Sequence, residues 1–159
     1  MASCGGIRIE INDQPLYLTG MNIRPAKESD ARTLQELLKQ LDYPASLEEC
    51  TLRIQQHQED GYHLAMGEIE EQPVGFVAMH WYHAIHHSKP IGRIVGLCVD
   101  EPFRAKGLGT SLLNYAEDYF RKVGCFKVEL TSNLKRTASH QYYQHRNYRQ
   151  VSMHFVKML

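Results

Sequence analysis

Hydrophobic positions along the chain change their spacing several times, and each change predicts an element. Asn22–Arg24 alternates briefly and predicts a short strand. Leu34, Leu37, Leu38 and Leu41 then recur at helical spacing behind Ser29 and Asp30, either of which suits a helix start. Tyr43-Pro44 ends that helix, and Ser46-Leu47-Glu48-Glu49 reads as a capping box opening a second one that runs to about Asp60. Tyr62–Glu68 and Val74–Tyr82 predict an antiparallel hairpin across a Glu70-Glu71-Gln72-Pro73 turn. Ile91–Asp100 is almost continuously apolar, as in a strand covered on both faces. Leu108, Leu112, Leu113, Ala116, Tyr119, Phe120 and Val123 predict a helix, with Gly124 where a left-handed cap is wanted. A strand at Phe126–Leu130, a helix at Leu134–Arg146 and a final strand at Val151–Leu159 complete the pattern. Residues 1–20 alternate through Ile7, Ile9 and Ile11 and form an extension, either an added edge strand or a loose arm. Residues 21–159 read as one domain, α/β in its layering.

Composition narrows the class. The chain has 159 residues, 43% apolar and 23% charged, enough to bury a core without metals or disulfides. Lys and Arg number 18 against 18 Asp and Glu, so the basic field of a nucleic-acid binder or a polybasic membrane anchor is missing. No apolar run approaches a bilayer span, and Met1-Ala2-Ser3-Cys4-Gly5-Gly6 is no signal peptide. The four cysteines are scattered, which fits reduced thiols in the cytoplasm.

The richest stretch is Val95-Gly96-Leu97-Cys98-Val99-Asp100-Glu101-Pro102-Phe103-Arg104-Ala105-Lys106-Gly107-Leu108-Gly109-Thr110. A strand ends, a short basic loop follows, and two glycines open an amphipathic helix. The first helical turn leaves about four N–H groups unpaired at the positive end of the dipole. Gly107 and Gly109 carry no Cβ, so a phosphate can approach those donors, and Arg104 and Lys106 add charge. Physically this is a diphosphate cradle. It is neither a Walker loop nor a dinucleotide fingerprint.

R-x-x-G-x-G after a Val-Asp strand end, then Glu129-Leu130-Thr131-Ser132-Asn133, then Tyr142-Tyr143 and Asn147-Tyr148, resembles the GNAT N-acetyltransferases from about Met21 to Leu159. The resemblance implies a mixed, mostly antiparallel central sheet with a splayed strand pair and helices on both faces. It implies acetyl-CoA as cosubstrate, its diphosphate on Arg104, Ala105, Lys106, Gly107, Leu108, Gly109 and Thr110. Backbone groups of Leu97, Cys98 and Val99 would take the pantetheine arm, with Asn133 beside it. Val99 would offer its N–H to the oxyanion, and Tyr143, a phenol protonated at neutral pH, would be the general acid toward the thiolate. Many relatives place a carboxylate base where this chain has Gly96, so the amine proton must leave through water or a histidine, or the site must take the neutral amine. Family members often form homodimers.

The chain has nine histidines, four of them within Met79-His80-Trp81-Tyr82-His83-Ala84-Ile85-His86-His87. Together with Tyr62-His63-Leu64-Ala65, Leu130–Arg136 and the ending Phe155-Val156-Lys157-Met158-Leu159, this run is similar to aminoalkylphosphonate N-acetyltransferases. That likeness implies a small aminophosphonate acceptor, a divalent metal held by His80, His86 and His87, and an acceptor cleft using Trp81, Tyr82 and Arg93. Competing readings are another amine (aminoglycoside, polyamine or peptide), an acetyl-CoA-binding protein without turnover, and an adaptor presenting Trp81 and Tyr82.

Overall fold

The computed structural model describes residues 20–159. Residues 1–19 lie outside it, and with them the choice between an edge strand and a loose arm for the extension at residues 1–20. The chain divides into two compact units, one ending at Glu129 and one spanning Leu130–Leu159.

The first unit is built on a sheet in the order β1-β2-β3-β4-β5. Its strands are β1 (Asn22–Pro25), β2 (Tyr62–Ile69), β3 (Gln72–Tyr82), β4 (Ile91–Val99) and β5 (Lys127–Leu130), whose last residue opens the second unit. The first four pair antiparallel in sequence. Phe126 N–H bonds to Pro90 O at 3.2 Å and Arg93 reaches Glu129 at 3.1 Å, so β5 advances alongside β4 in the same direction. The sheet is therefore mixed and mostly antiparallel, as expected.

Helices cover both faces. On one, α1 (Ala31–Gln40) and α2 (Leu47–Gln56) bury Leu34, Leu37, Cys50 and Ile54 against Leu64, Met66, Phe76, Ala78 and Cys98. On the other, α3 (Leu108–Val123) buries Leu108, Leu112, Leu113, Ala116 and Phe120 and packs on β3 and β4. Local signals explain the ends. Ser46 Oγ accepts from Glu49 N–H at 3.1 Å while Glu49 accepts from Ser46 N–H at 2.6 Å, the reciprocal cap predicted for α2. Gly124 ends α3 in the left-handed conformation, at φ 89°. Arg24 ties β1 to the buried Asp30 and to Glu68, closing the sheet edge with paired charges.

Several expectations shift. The hairpin turn is only Glu70-Glu71, both at positive φ, and Gln72 and Pro73 already belong to β3. Pro73 is accommodated beside a register shift, at Gly67/Glu68. The second unit contains α4 (Thr137–His145), shorter than the Leu134–Arg146 helix expected. Val151–Leu159 forms no strand: the segment is irregular, and Val151, Met153, Phe155, Val156, Met158 and Leu159 are exposed. Alternation alone does not make a strand, which needs a hydrogen-bonded neighbour that this segment lacks among the described residues. No helix among the described residues is long and apolar enough to cross a membrane.

Candidate active site

The cradle predicted from sequence is formed by β4, the loop after it and the start of α3. A register shift at Ala78/Met79 leaves Val95 as the extra residue of β4, since Ala78 faces Gly96 and Met79 faces Ile94. Beyond that bulge, Asp100 N–H bonds to Val74 O at 2.8 Å. Antiparallel pairs alternate in bonding, so Val99 opposite Gly75, and Leu97 opposite Val77, turn their own N–H and C=O away from β3. Cys98, between them, is spent in the ladder with Phe76, and its buried thiol points to Leu37 O at 3.6 Å. Leu97 and Val99 thus turn their backbone groups out of the β3 ladder, the Val99 carbonyl accepting from Arg104 Nε, whereas the backbone of Cys98 lies within the ladder.

Past Val99, Asp100 caps a short turn at Glu101–Phe103. Ala105 and Gly107 then take left-handed conformations at φ 60° and φ 80°, a strained one for alanine. Gly107 is the N-cap of α3, and no side chain caps that helix. A Cβ at Gly109 would meet only Val99 Cγ2, at 3.9 Å. Packing therefore does not require glycine at 109, and its small size leaves open space over the first turn. Leu108 is buried, so only its backbone can serve a ligand.

The basic side chains are not free cations. Arg104 Nε donates to Val99 O at 2.9 Å and its Nη2 to Gln40 Oε1 at 2.7 Å. Lys106 Nζ donates to Pro102 O at 3.1 Å and lies over the Phe103 ring. Glycine at 96 has a packing reason: a Cβ there would come within 3.1 Å of the Phe76 ring.

On the α1–α2 face, the ends of β2–β5 carry a polar patch. Tyr62, His80 and Arg93 stand in register across three strands. Tyr82 hydroxyl and Arg93 Nη1 both donate to Glu129 Oε1, at 2.8 and 3.1 Å. That bond to a carboxylate pushes the Tyr82 phenol above its usual range. Burial, helped by Arg93, holds His80 below the usual histidine range. Nothing in the sequence around Glu129 signals this contact, because its partners lie on β3 and β4, 47 and 36 residues away. Trp81 points the other way, as strand alternation demands, and its side chain hydrogen-bonds Tyr119 on α3. On that same face His63 Nε2 bonds the Tyr115 hydroxyl at 2.8 Å and its ring stacks on Tyr119 at 4.8 Å. Burial there lowers the His63 pKa to about 4.

The expected metal triad is not assembled. His80 lies among Tyr62 and Tyr82 on the sheet, while the His86 and His87 rings meet at a tilt, 4.3 Å apart, and His87 packs on Phe126. Among the described residues no three His, Cys, Asp or Glu side chains come together to hold an ion. The residues fail the fit to a metal because His80 is fixed on a strand while His87 packs on Phe126 beyond the loop with His86 beside it.

In the second unit, Tyr143 lies on α4 with its ring against Tyr142 and Tyr148, at 5.3 and 5.7 Å. Burial raises its pKa above the ordinary phenol value. Asn133 Oδ1 accepts from Lys135 N–H at 3.0 Å, an Asx turn that fixes the approach to α4.

The Acetyltransferase (GNAT) family model matches residues 31–148. The chain belongs to the GNAT family. An aminoalkylphosphonate N-acetyltransferase of Salmonella typhimurium (strain LT2) is 36% identical to this GNAT chain over 100 residues, covering 62% of each protein. The alignment thus spans about three-fifths of that curated relative. An acetyltransferase of Trypanosoma brucei is similar in structure at a TM-score of 0.74, with 24% identity over 87% of this chain and 99% of that one. An aminoglycoside N-acetyltransferase solved in complex with CoA gives a TM-score of 0.77 at 17% identity, over 92% of this chain and 99% of that one. These likenesses establish the GNAT fold.

Proposed function

We propose that this GNAT chain transfers the acetyl group of acetyl-CoA to the primary amine of a small molecule bearing an anionic group, an aminoalkylphosphonate being the best match. The single observation carrying the donor half is the start of α3: an N-cap without a side chain, and a Gly109 whose missing Cβ leaves open space that packing does not need. First-turn amides and the helix dipole suit a diphosphate. The CoA complex of the solved aminoglycoside N-acetyltransferase supports the same choice of donor. The acceptor half rests on the name and identity of the Salmonella relative, and on Arg93, whose guanidinium suits a phosphonate.

Acetyl-CoA supplies the acetyl thioester. Gly107, Leu108, Gly109 and Thr110 hold the diphosphate by backbone amides, within a loop shaped by Arg104, Ala105 and Lys106. Leu97 and Val99 offer backbone groups to the pantetheine arm, with Asn133 beside it. The amine nitrogen attacks the carbonyl carbon, the C–S bond breaks, and Val99 N–H stabilises charge on the carbonyl oxygen. The proton lost by the amine leaves through water or a histidine, or the site takes the amine already neutral. Tyr143, protonated because its pKa is raised, donates to the departing thiolate. No step uses a metal ion.

The test is thiol release from acetyl-CoA with a panel of amines including aminomethyl- and aminoethylphosphonate, an aminoglycoside and a polyamine. The aminophosphonates should turn over with the highest kcat/KM. Binding of acetyl-CoA without release on any amine would leave a binding protein and overturn the enzyme reading. Tyr143→Phe should lower kcat about 100-fold with acetyl-CoA affinity unchanged, and an unaltered kcat removes Tyr143 from the reaction.

A further inference from the structure

Gln40, the last residue of α1, is remote in sequence from the phosphate loop yet touches it at three points. Its Oε1 accepts from Glu101 N–H at 3.2 Å and from Arg104 Nη2 at 2.7 Å. Its Nε2 donates to Asp100 Oδ1 at 2.7 Å. The amide has one orientation here, because two donors face its oxygen and a carboxylate faces its nitrogen. The same Asp100 oxygen also accepts Glu101 N–H at 2.9 Å, and Arg104 Nε closes the loop onto Val99 O at 2.9 Å.

The consequence is mechanical. Arg104 is bound at one nitrogen to the strand end and at another to the helix, so the backbone from Asp100 to Arg104 is held on both sides. The two left-handed residues that follow, Ala105 and Gly107, set the direction in which α3 begins. A loop with that strain keeps its shape only when its flanks are fixed. Val99, whose N–H is offered to the reacting carbonyl, is the anchor at the other end of the same chain of bonds.

We propose that Gln40 is a positioning residue for the acetyl-CoA site: it fixes Asp100, Glu101 and Arg104 so that the first turn of α3 and Val99 are preorganised for the cosubstrate. This rests on the functional reading above. Gln40 itself touches no substrate. It is exposed, so its bonds contribute little to global stability and its loss acts on loop order rather than on folding.

The experiment is calorimetric titration of acetyl-CoA, with steady-state kinetics, on the full chain and three variants. Gln40→Ala should bind acetyl-CoA about tenfold more weakly, about 1.4 kcal/mol, with an unchanged thermal midpoint. The kinetic loss should fall on kcat/KM for acetyl-CoA, with KM for the amine unmoved. Gln40→Glu sets a carboxylate against Asp100 and should bind at least as weakly. Gln40→Leu keeps the side chain's length and removes all three bonds, so it should bind as weakly as Gln40→Ala. Gln40→Ala equal to the parent overturns the proposal, as does a Gln40→Leu that binds acetyl-CoA like the parent. Parent protein that takes up no acetyl-CoA overturns the functional reading itself.

Discussion

The loop at residues 100–110 and the histidine-rich segment at residues 80–87 both stand out chemically, and they are built in opposite ways. In the loop, Arg104 and Lys106 are turned back onto Val99 and Pro102, and what stays open is the space over the first turn of α3 at Gly109. In the histidine segment there are many ligating side chains and no shared focus, since a strand fixes His80 while His87 packs on Phe126 with the His86 ring tilted against it. A site is made by convergence, not by the density of reactive residue types. The loop converges because the chain enters it from a bulged strand and leaves it along a helix axis.

Breaking the loop should have the largest effect. Gly109→Leu fills the open space above the first turn, and acetyl-CoA affinity should fall by about 100-fold or more, since several charge-assisted bonds are lost together. Because a Cβ there meets only Val99 Cγ2 at 3.9 Å, the thermal midpoint should hold. A parallel loss of stability would show instead that Gly109 serves packing.

The histidine region should answer unevenly. Arg93→Met should raise KM for an aminophosphonate about tenfold through loss of a charged partner, leaving acetyl-CoA affinity intact. Equal KM values in variant and parent would take Arg93 out of the acceptor site. Chelator treatment, and His86→Ala with His87→Ala, should change turnover by less than about twofold, because no ion is shared among these side chains. A large loss restored by added divalent ion would reverse that conclusion.

The smallest effect concerns His63, on the α3 face of the sheet, which should matter to stability and not to turnover. Its folded pKa of about 4 lies below the ordinary 6.5, so the unfolded chain binds the proton first as pH falls. This contribution is constant above pH 6.5, declines between 6.5 and 4, and is flat below. Full desolvation would give about 3 kcal/mol, and partial exposure of the residue brings this to on the order of 1–2 kcal/mol. Thermal midpoints measured from pH 7 to 4 should fall less steeply in His63→Gln than in the parent.

Much of the first unit could be read from the sequence because its signals are local: Ser46 with Glu49, Gly124 after α3, and apolar spacing along α1 and α3. The turn of the hairpin was placed two residues too long because Pro73 reads as a breaker, whereas a register shift lets it enter a strand. Val151–Leu159 alternated like a strand but has no neighbour to pair with among the described residues. At the site, Gly107 and Gly109 were identifiable because backbone access needs glycine. Gln40 and Glu129 were not, since their bonds span 60 or more and 36 or more residues and depend on which strand or helix end arrives beside them. Trp81 and Tyr82, adjacent in sequence, lie on opposite faces of β3, as strand alternation requires.

The central claim is that backbone amides at the start of α3 grip a diphosphate. Titrating the protein with acetyl-CoA and with acetyl-pantetheine, which has the same thioester and no diphosphate, tests it most directly. Acetyl-CoA should bind at least about 100-fold more tightly, and the gap should close in Gly109→Leu. Equal affinity for the two compounds, or a gap that survives Gly109→Leu undiminished, would contradict the account.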